Sequence, residues 1–146
     1  MRASHLEPRY VDVIPDRPDE GILYICEKYH TATHRCCCGC GKEVVTPLLP
    51  AAWRLQKKGG KVSLYPSIGN WNFPCRSHYW IVSNRIQWAR AMSAGQIQNV
   101  EARDRAHLSQ YVAASNRERA LQNDASAWSF WKWVANILRK LFGCEK

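Results

Sequence analysis

A chain of 146 residues with a formal charge of +9 has the length of one domain with its own core, and a charge that favours acidic ligands. No stretch approaches the ~20 apolar residues of a membrane span, and no N-terminal segment pairs a basic start with an apolar run and a small-residue cleavage site, so a cytoplasmic protein is expected. Four of the seven cysteines fall between Cys36 and Cys40, and in a reducing compartment such a cluster points to metal binding or chemistry rather than to disulfides.

Residues 1–20 carry Pro8, Pro15 and Pro18 among alternating charges and read as an extended leader. GILYICEKY, Gly21 to Tyr29, has the short apolar, aromatic and β-branched character of a strand, and KEVVTPLLP, Lys42 to Pro50, reads as a second strand stopped by prolines. Gly59-Gly60 is a turn signal that makes a hairpin of Trp53 to Gln56 and Lys61 to Tyr65. HYWIVSNRIQWA, His78 to Ala89, is strand-like at its start. The basic residues Arg54, Lys57, Lys58, Lys61, Arg76, Arg85 and Arg90 gather in this middle region, where nucleic acid would be met if it were a partner.

Beyond Met92 the chain is rich in Ala, Gln, Glu and Arg without proline and reads as a surface helix. A second helix is expected after Asn123-Asp124-Ala125-Ser126, a cap sequence, ending at Gly143. In it Trp128, Trp131, Val134, Ala135, Leu138, Leu141 and Phe142 share one face, with Lys132, Asn136, Arg139 and Lys140 towards the other. That face packs on its own domain, on a partner groove or, over residues 126–143, on a membrane surface. The expected fold is α+β: an extended leader over 1–20, a small zinc-containing β-rich domain over 21–91, and a helical extension over 92–146.

Zinc takes four ligands in a tetrahedral array, and small folds supply them as pairs from two turns. Cys75 and His78 have the C-x-x-H spacing of one such pair. Cys38 and Cys40, with Gly39 and Gly41 to let the backbone turn, are the simplest partners; Cys37-x-x-Cys40 is the alternative, and Cys36 and Cys37 are otherwise spare. The half-motif PCRSH resembles that of nucleobase deaminases, but the nearest acid after the first cysteines, Glu43, stands in the wrong arrangement for one.

HRCCCGCG, TPLLPAAWRL and GGKVSLYPSIGNWNFPCRSHYWIVSNRIQWA together resemble a bacterial domain family encoded beside ubiquitin-like proteins and their activating and conjugating enzymes. The resemblance covers roughly residues 21–90. It implies a metal-containing component of a ubiquitin-like modification pathway in antiviral defence, with a ubiquitin-like protein and those enzymes as partners. The family pattern has a single residue, often proline, at Cys37, which implies that Cys37 is not a ligand.

Two serines are candidates to cut a peptide bond: Ser67 in the turn-like YPSIGNW, and Ser77 between Cys75 and His78. A serine needs a base within hydrogen-bond reach, and with His78 assigned to zinc, His34 is the available histidine. Asn70 or Asn84 would serve a developing oxyanion. If zinc is catalytic instead, Glu43 is the candidate base. Trp53, Trp71, Trp80 and Trp88 fill the small core or recognise a partner. The function that the resemblance implies is a zinc-containing peptidase that processes or removes a ubiquitin-like protein. Alternatives are a non-catalytic zinc module that recruits a conjugating enzyme or target, and a basic zinc module on nucleic acid.

Overall fold

Among the described residues, eight strands and one long helix follow one another along the chain. The computed structural model describes the backbone of residues 1–142 and the side chains of all of these except residues 126, 127 and 139–142. Strands β1 (Glu7–Tyr10), β2 (Ile22–Cys26), β3 (Thr31–Arg35) and β4 (Glu43–Pro47) form one sheet in that order. Strands β5 (Arg54–Lys58), β6 (Lys61–Gly69), β7 (His78–Val82) and β8 (Arg85–Trp88) form the other. Only β1 and β2 pair in parallel; the remaining pairs are antiparallel. Both β5–β6 and β7–β8 are two-residue hairpins. Their turns, Gly59-Gly60 and Ser83-Asn84, hold positive φ at both central positions, the conformation that matches the twist of antiparallel strands.

The two sheets share one apolar core. Leu23, Ile25, Ala32 and Val44 from the first meet Val62, Leu64, Ile68, Tyr79 and Ile81 from the second. Each fully buried Leu or Ile contributes roughly 1.5–3 kcal/mol by leaving water, so this set is the main stabilising term. Along β7 burial alternates strictly, with Tyr79 and Ile81 inward and His78, Trp80 and Val82 half-buried on the other side. The same alternation puts Ser67 and Gly69 on the half-buried side of β6 and Ile68 on the core side.

The N-terminal segment does more than extend. Leu6 is buried, its amide bonds Asn84 O, Ile86 N bonds Ser4 O, and Ala3 N bonds Cys37 O. It thus touches both sheets. All five residues of β2 are buried, because residues following β1 contact its side chains: Tyr24 donates to Asp19 at 2.7 Å and Cys26 Sγ to the Asp12 carbonyl at 3.2 Å.

His34 on β3 lies fully buried, and loss of hydration holds its imidazole down at about 3, so it is neutral. Its Nε2 lies 2.8 Å from Tyr79 Oη, joining the two sheets. This corrects the expectation of His34 as a base, since a ring sealed in the core cannot reach a substrate.

Helix α1 (Ala94–Phe142) is continuous. Its N-terminus is a capping box in which Ser93 Oγ accepts from Gln96 N at 3.3 Å and Gln96 Oε1 accepts from Ser93 N at 2.9 Å. The Asn123–Ser126 cap expected from sequence is interior to this helix, and Gly143 lies outside the described residues. The chain divides into two compact units, Met1–Asp104 and Arg105–Lys146. Among the described residues no helix is long and apolar enough to cross a membrane.

Gly69 faces His78 across the β6–β7 pair, and a Cβ on it would fall 2.3 Å from the indole of Trp71. Gly69→Ala is expected to force that ring away and cost about 1–3 kcal/mol in urea denaturation. Gly95→Ala, where nothing lies within 4 Å, is expected to cost no stability in the same measurement.

Candidate functional site

Two side-chain constellations meet on the segment from Asn70 to His78. The first is a group of four thiols. Cys36 closes β3, and the chain then turns through Gly39 and Gly41, both at positive φ, with Cys36 N bonded to Lys42 O at 2.7 Å. Cys36, Cys38 and Cys40 bring their sulfurs to that of Cys75, all within 4.8 Å of one another. The pairs Cys36–Cys38, Cys40–Cys75 and Cys36–Cys75 stand at 3.4, 3.8 and 3.9 Å. Four thiolates around a tetrahedral ion with bonds of about 2.3 Å lie ~3.8 Å apart, so the spacing fits a metal ion. The six cysteines among the described residues, Cys26, Cys36, Cys37, Cys38, Cys40 and Cys75, are free thiols.

The acid–base character of the group fits a cation too. Burial pushes the Cys36 thiol up, and burial with the neighbouring sulfurs pushes Cys38 up to about 12. At Cys75 burial acts upward but is outweighed by hydrogen bonds from Ser77 and from Cys38 and Cys40, which bring it down to about 7. Four adjacent thiols thus do not ionise together unaided; a bound cation would supply the charge that stabilises the remaining thiolates.

Cys38, Cys40 and Cys75 are the cysteines expected as ligands. The fourth member of the group is Cys36, which sequence spacing had set aside, and not His78. The turn after β3, closed by Gly39 N to Cys36 O at 3.0 Å, gathers the sulfurs of residues 36, 38 and 40, while Cys37 is buried in the core outside that group, its thiol pushed up to about 12 by burial. The C-x-C-x-C pattern, which with Cys75 supplies four sulfurs and no histidine, was the available signal.

His78 belongs to the second constellation. Its Nε2 lies 2.9 Å from Ser67 Oγ, and its Nδ1 lies 3.4 Å from the Arg90 carbonyl. The carbonyl can only accept, so Nδ1 carries the hydrogen and Nε2 accepts from the serine hydroxyl. Trp71 stands edge-on to the imidazole at 4.9 Å, and Trp80 lies tilted beside it at 5.4 Å. Two indoles therefore fix the ring plane. Pro66, which has no amide hydrogen, sits where the β6–β7 register shifts between Leu64 and Ile68, and Ser67 follows it onto the His78 side.

The other candidates are placed differently. Ser77 is buried, with its Oγ 2.8 Å from Asn70 Nδ2, 3.1 Å from Cys36 Sγ and 3.6 Å from Cys75 Sγ; it adjoins the thiols and no imidazole. Asn70 is also buried, and Asn84 accepts from Val62 N in the hairpin turn, so neither amide is aimed at the Ser67 hydroxyl. Glu43 is exposed at the start of β4, opposite Arg35. Trp53 and Trp88 pack against the core, which leaves Trp71 and Trp80 at the Ser67–His78 pair.

A hydroxyl held on the unprotonated nitrogen of an oriented imidazole is the arrangement of a serine-type hydrolase. The family model of bacterial ubiquitination-like system serine proteases (BubE) matches residues 10–89, more than half of the 146 residues, and the chain belongs to that family. No curated protein and no solved structure matches it. Membership corrects the function expected from sequence: the family is one of serine proteases, so a peptidase defined by its zinc, with Glu43 activating a metal-bound water, is not what this chain is. The recruiting and nucleic-acid modules fall with it.

The geometry of the thiol group has a direct test. Cys36→Ser and Cys75→Ser are expected to lose most of the bound metal measured by elemental analysis of purified protein, whereas Cys37→Ser keeps it at about the wild-type level, even though its buried site lowers stability.

Proposed function

We propose that this protein hydrolyses peptide bonds with Ser67 as nucleophile and His78 as general base, acting on a ubiquitin-like protein of its conjugation system. The observation that carries the reading is the 2.9 Å contact between Ser67 Oγ and His78 Nε2 on the half-exposed side of the second sheet. In the first step Oγ attacks the scissile carbonyl carbon while its proton passes to Nε2. The tetrahedral adduct collapses as the C–N bond breaks, and the leaving amine takes the proton from Nε2. Water then attacks the acyl ester and gives its proton to Nε2; the second adduct collapses as the C–Oγ bond breaks, Oγ takes the proton back from Nε2, and the carboxylic acid leaves with Ser67 and the neutral imidazole restored.

The Arg90 carbonyl accepts the Nδ1 hydrogen throughout and so holds the imidazole in the required tautomer. The indoles of Trp71 and Trp80 limit water around the ring and offer flat apolar surface to an extended peptide. The activating and conjugating enzymes of the same system are partners on this reading only through their shared ubiquitin-like protein.

Zinc would be held by Cys36, Cys38, Cys40 and Cys75; with four thiolate ligands it would supply structural stabilisation rather than an activated water, tying the loop that carries Cys75, three residues before His78, to the segment after β3.

The test uses a fluorophosphonate probe and a ubiquitin-like substrate extended at its C-terminus. Ser67→Ala and His78→Gln are each expected to lower cleavage by about a thousandfold or more, with probe labelling abolished in Ser67→Ala. Glu43→Gln is expected to cleave at the wild-type rate. Labelling that persists in Ser67→Ala and disappears in Ser77→Ala would assign the nucleophile to Ser77 and overturn the proposal.

A further inference from the structure

We infer that residues 128–138 of α1 form a membrane-surface anchor for anionic lipid. Trp128, Phe130, Trp131 and Trp133 are 56–67% exposed, and Ile137 and Leu138 are exposed beside them. At roughly 100° per residue, Trp133, Ile137, Phe130, Val134, Leu138, Trp131, Ala135 and Trp128 follow one another around about 220° of the helix. Lys132, Asn136 and Ser129 occupy the remaining arc. Trp133 and Trp128 stand at its two borders, and Lys132 Nζ lies 3.5 Å over the Trp128 ring.

Three features choose the occupant. The apolar arc is far wider than the narrow seam of a two-stranded coiled coil. Tryptophan at the polar borders is the placement that suits a membrane interface, where one side of the indole is apolar and its N–H is wet. The charges decide the rest: from Ala125 to Gly143 the charged residues are Lys132, Arg139 and Lys140, with no acid among them. An apolar face whose polar arc carries Lys132 beside the uncharged Ser129 and Asn136, with Arg139 and Lys140 next in sequence, is complementary to a bilayer with anionic headgroups. Among the described residues no helix is long and apolar enough to span, so the segment would lie in the interface plane.

The experiment is flotation of the full-length protein with vesicles of phosphatidylcholine alone and of phosphatidylcholine mixed with phosphatidylglycerol, with tryptophan emission read in parallel. Binding to the mixed vesicles is expected to be about tenfold tighter or more, to weaken in high salt, and to shift emission to the blue. Trp131→Ser with Leu138→Ser should abolish flotation, and Lys132→Glu should weaken it roughly tenfold, while circular dichroism shows helix content retained. Wild-type protein that floats with neither vesicle, or equally with both, overturns the proposal. So does an oligomer in sedimentation that the double serine variant disperses without any lipid binding, since the occupant would then be a second copy of the chain.

Discussion

Asn70 and Ser77 hold one another twice. The amide of Asn70 bonds the Ser77 carbonyl at 2.9 Å, and its side-chain Nδ2 donates to Ser77 Oγ at 2.8 Å. Both residues are buried, and a broken bond there would strand polar atoms away from water at about 1–3 kcal/mol each. This closure fixes the loop between β6 and β7, which carries Cys75 and leads into His78. Gly69 and Trp71 lie at its entrance, Cys75 within it, and His78 at its exit. The network continues inward from Asn70 Nδ2 to Tyr79 Oη at 3.4 Å and on to His34, so it ties the loop to the first sheet through the core.

The thiol group and the Ser67–His78 pair are therefore neighbours in chain without sharing a ligand. Cys75 looks toward Cys36, Cys38 and Cys40, whereas His78, in register with Gly69, looks toward Ser67. Small domains gain folding free energy from a bound metal that their limited cores do not supply. On the proposed reading, metal binding stabilises the loop, and the loop's exit residue works as the base. Each task keeps its own chemistry: a closed thiolate sphere for structure, an imidazole for proton transfer.

Much of this was legible in the residues. The Gly59-Gly60 hairpin, the apolar β2 and the clustering of cysteines with Cys75 all follow from local chemistry. His78 was misread because C-x-x-H spacing suits a zinc turn as well as it suits a strand residue after a loop; only the register with Gly69 and the distance to Ser67 distinguish them. Strand β3, TATHR, looks polar, yet Thr33 and His34 are buried because Tyr79 reaches His34 and the surrounding residues are apolar. That is a tertiary effect no local pattern contains. Asn123–Ser126 has the composition of a cap, but the residues flanking it are helix formers, and a helix already propagating loses little by running through. The true cap, Ser93 with Gln96, was present in the sequence as S-x-x-Q.

On the proposed reading, the imidazole's orientation illustrates how little apparatus the pair requires. In hydrolytic triads a buried carboxylate holds the second nitrogen and stabilises the imidazolium that forms. Here the Nδ1 partner is the carbonyl of Arg90, a neutral acceptor that sets the tautomer while offering less charge stabilisation. Its position is not left to a flexible side chain. Ala89 N bonds the His78 carbonyl at 2.9 Å, which extends the β7–β8 pairing by one step beyond Trp88, and Arg90 is the next residue. The hydrogen bond that continues the sheet is thus the one that brings the orienting carbonyl to the ring. On the proposed reading, a neutral orienter held by backbone pairing exchanges some stabilisation of the charged intermediate for a fixed geometry, and in positioning a base the geometry comes first.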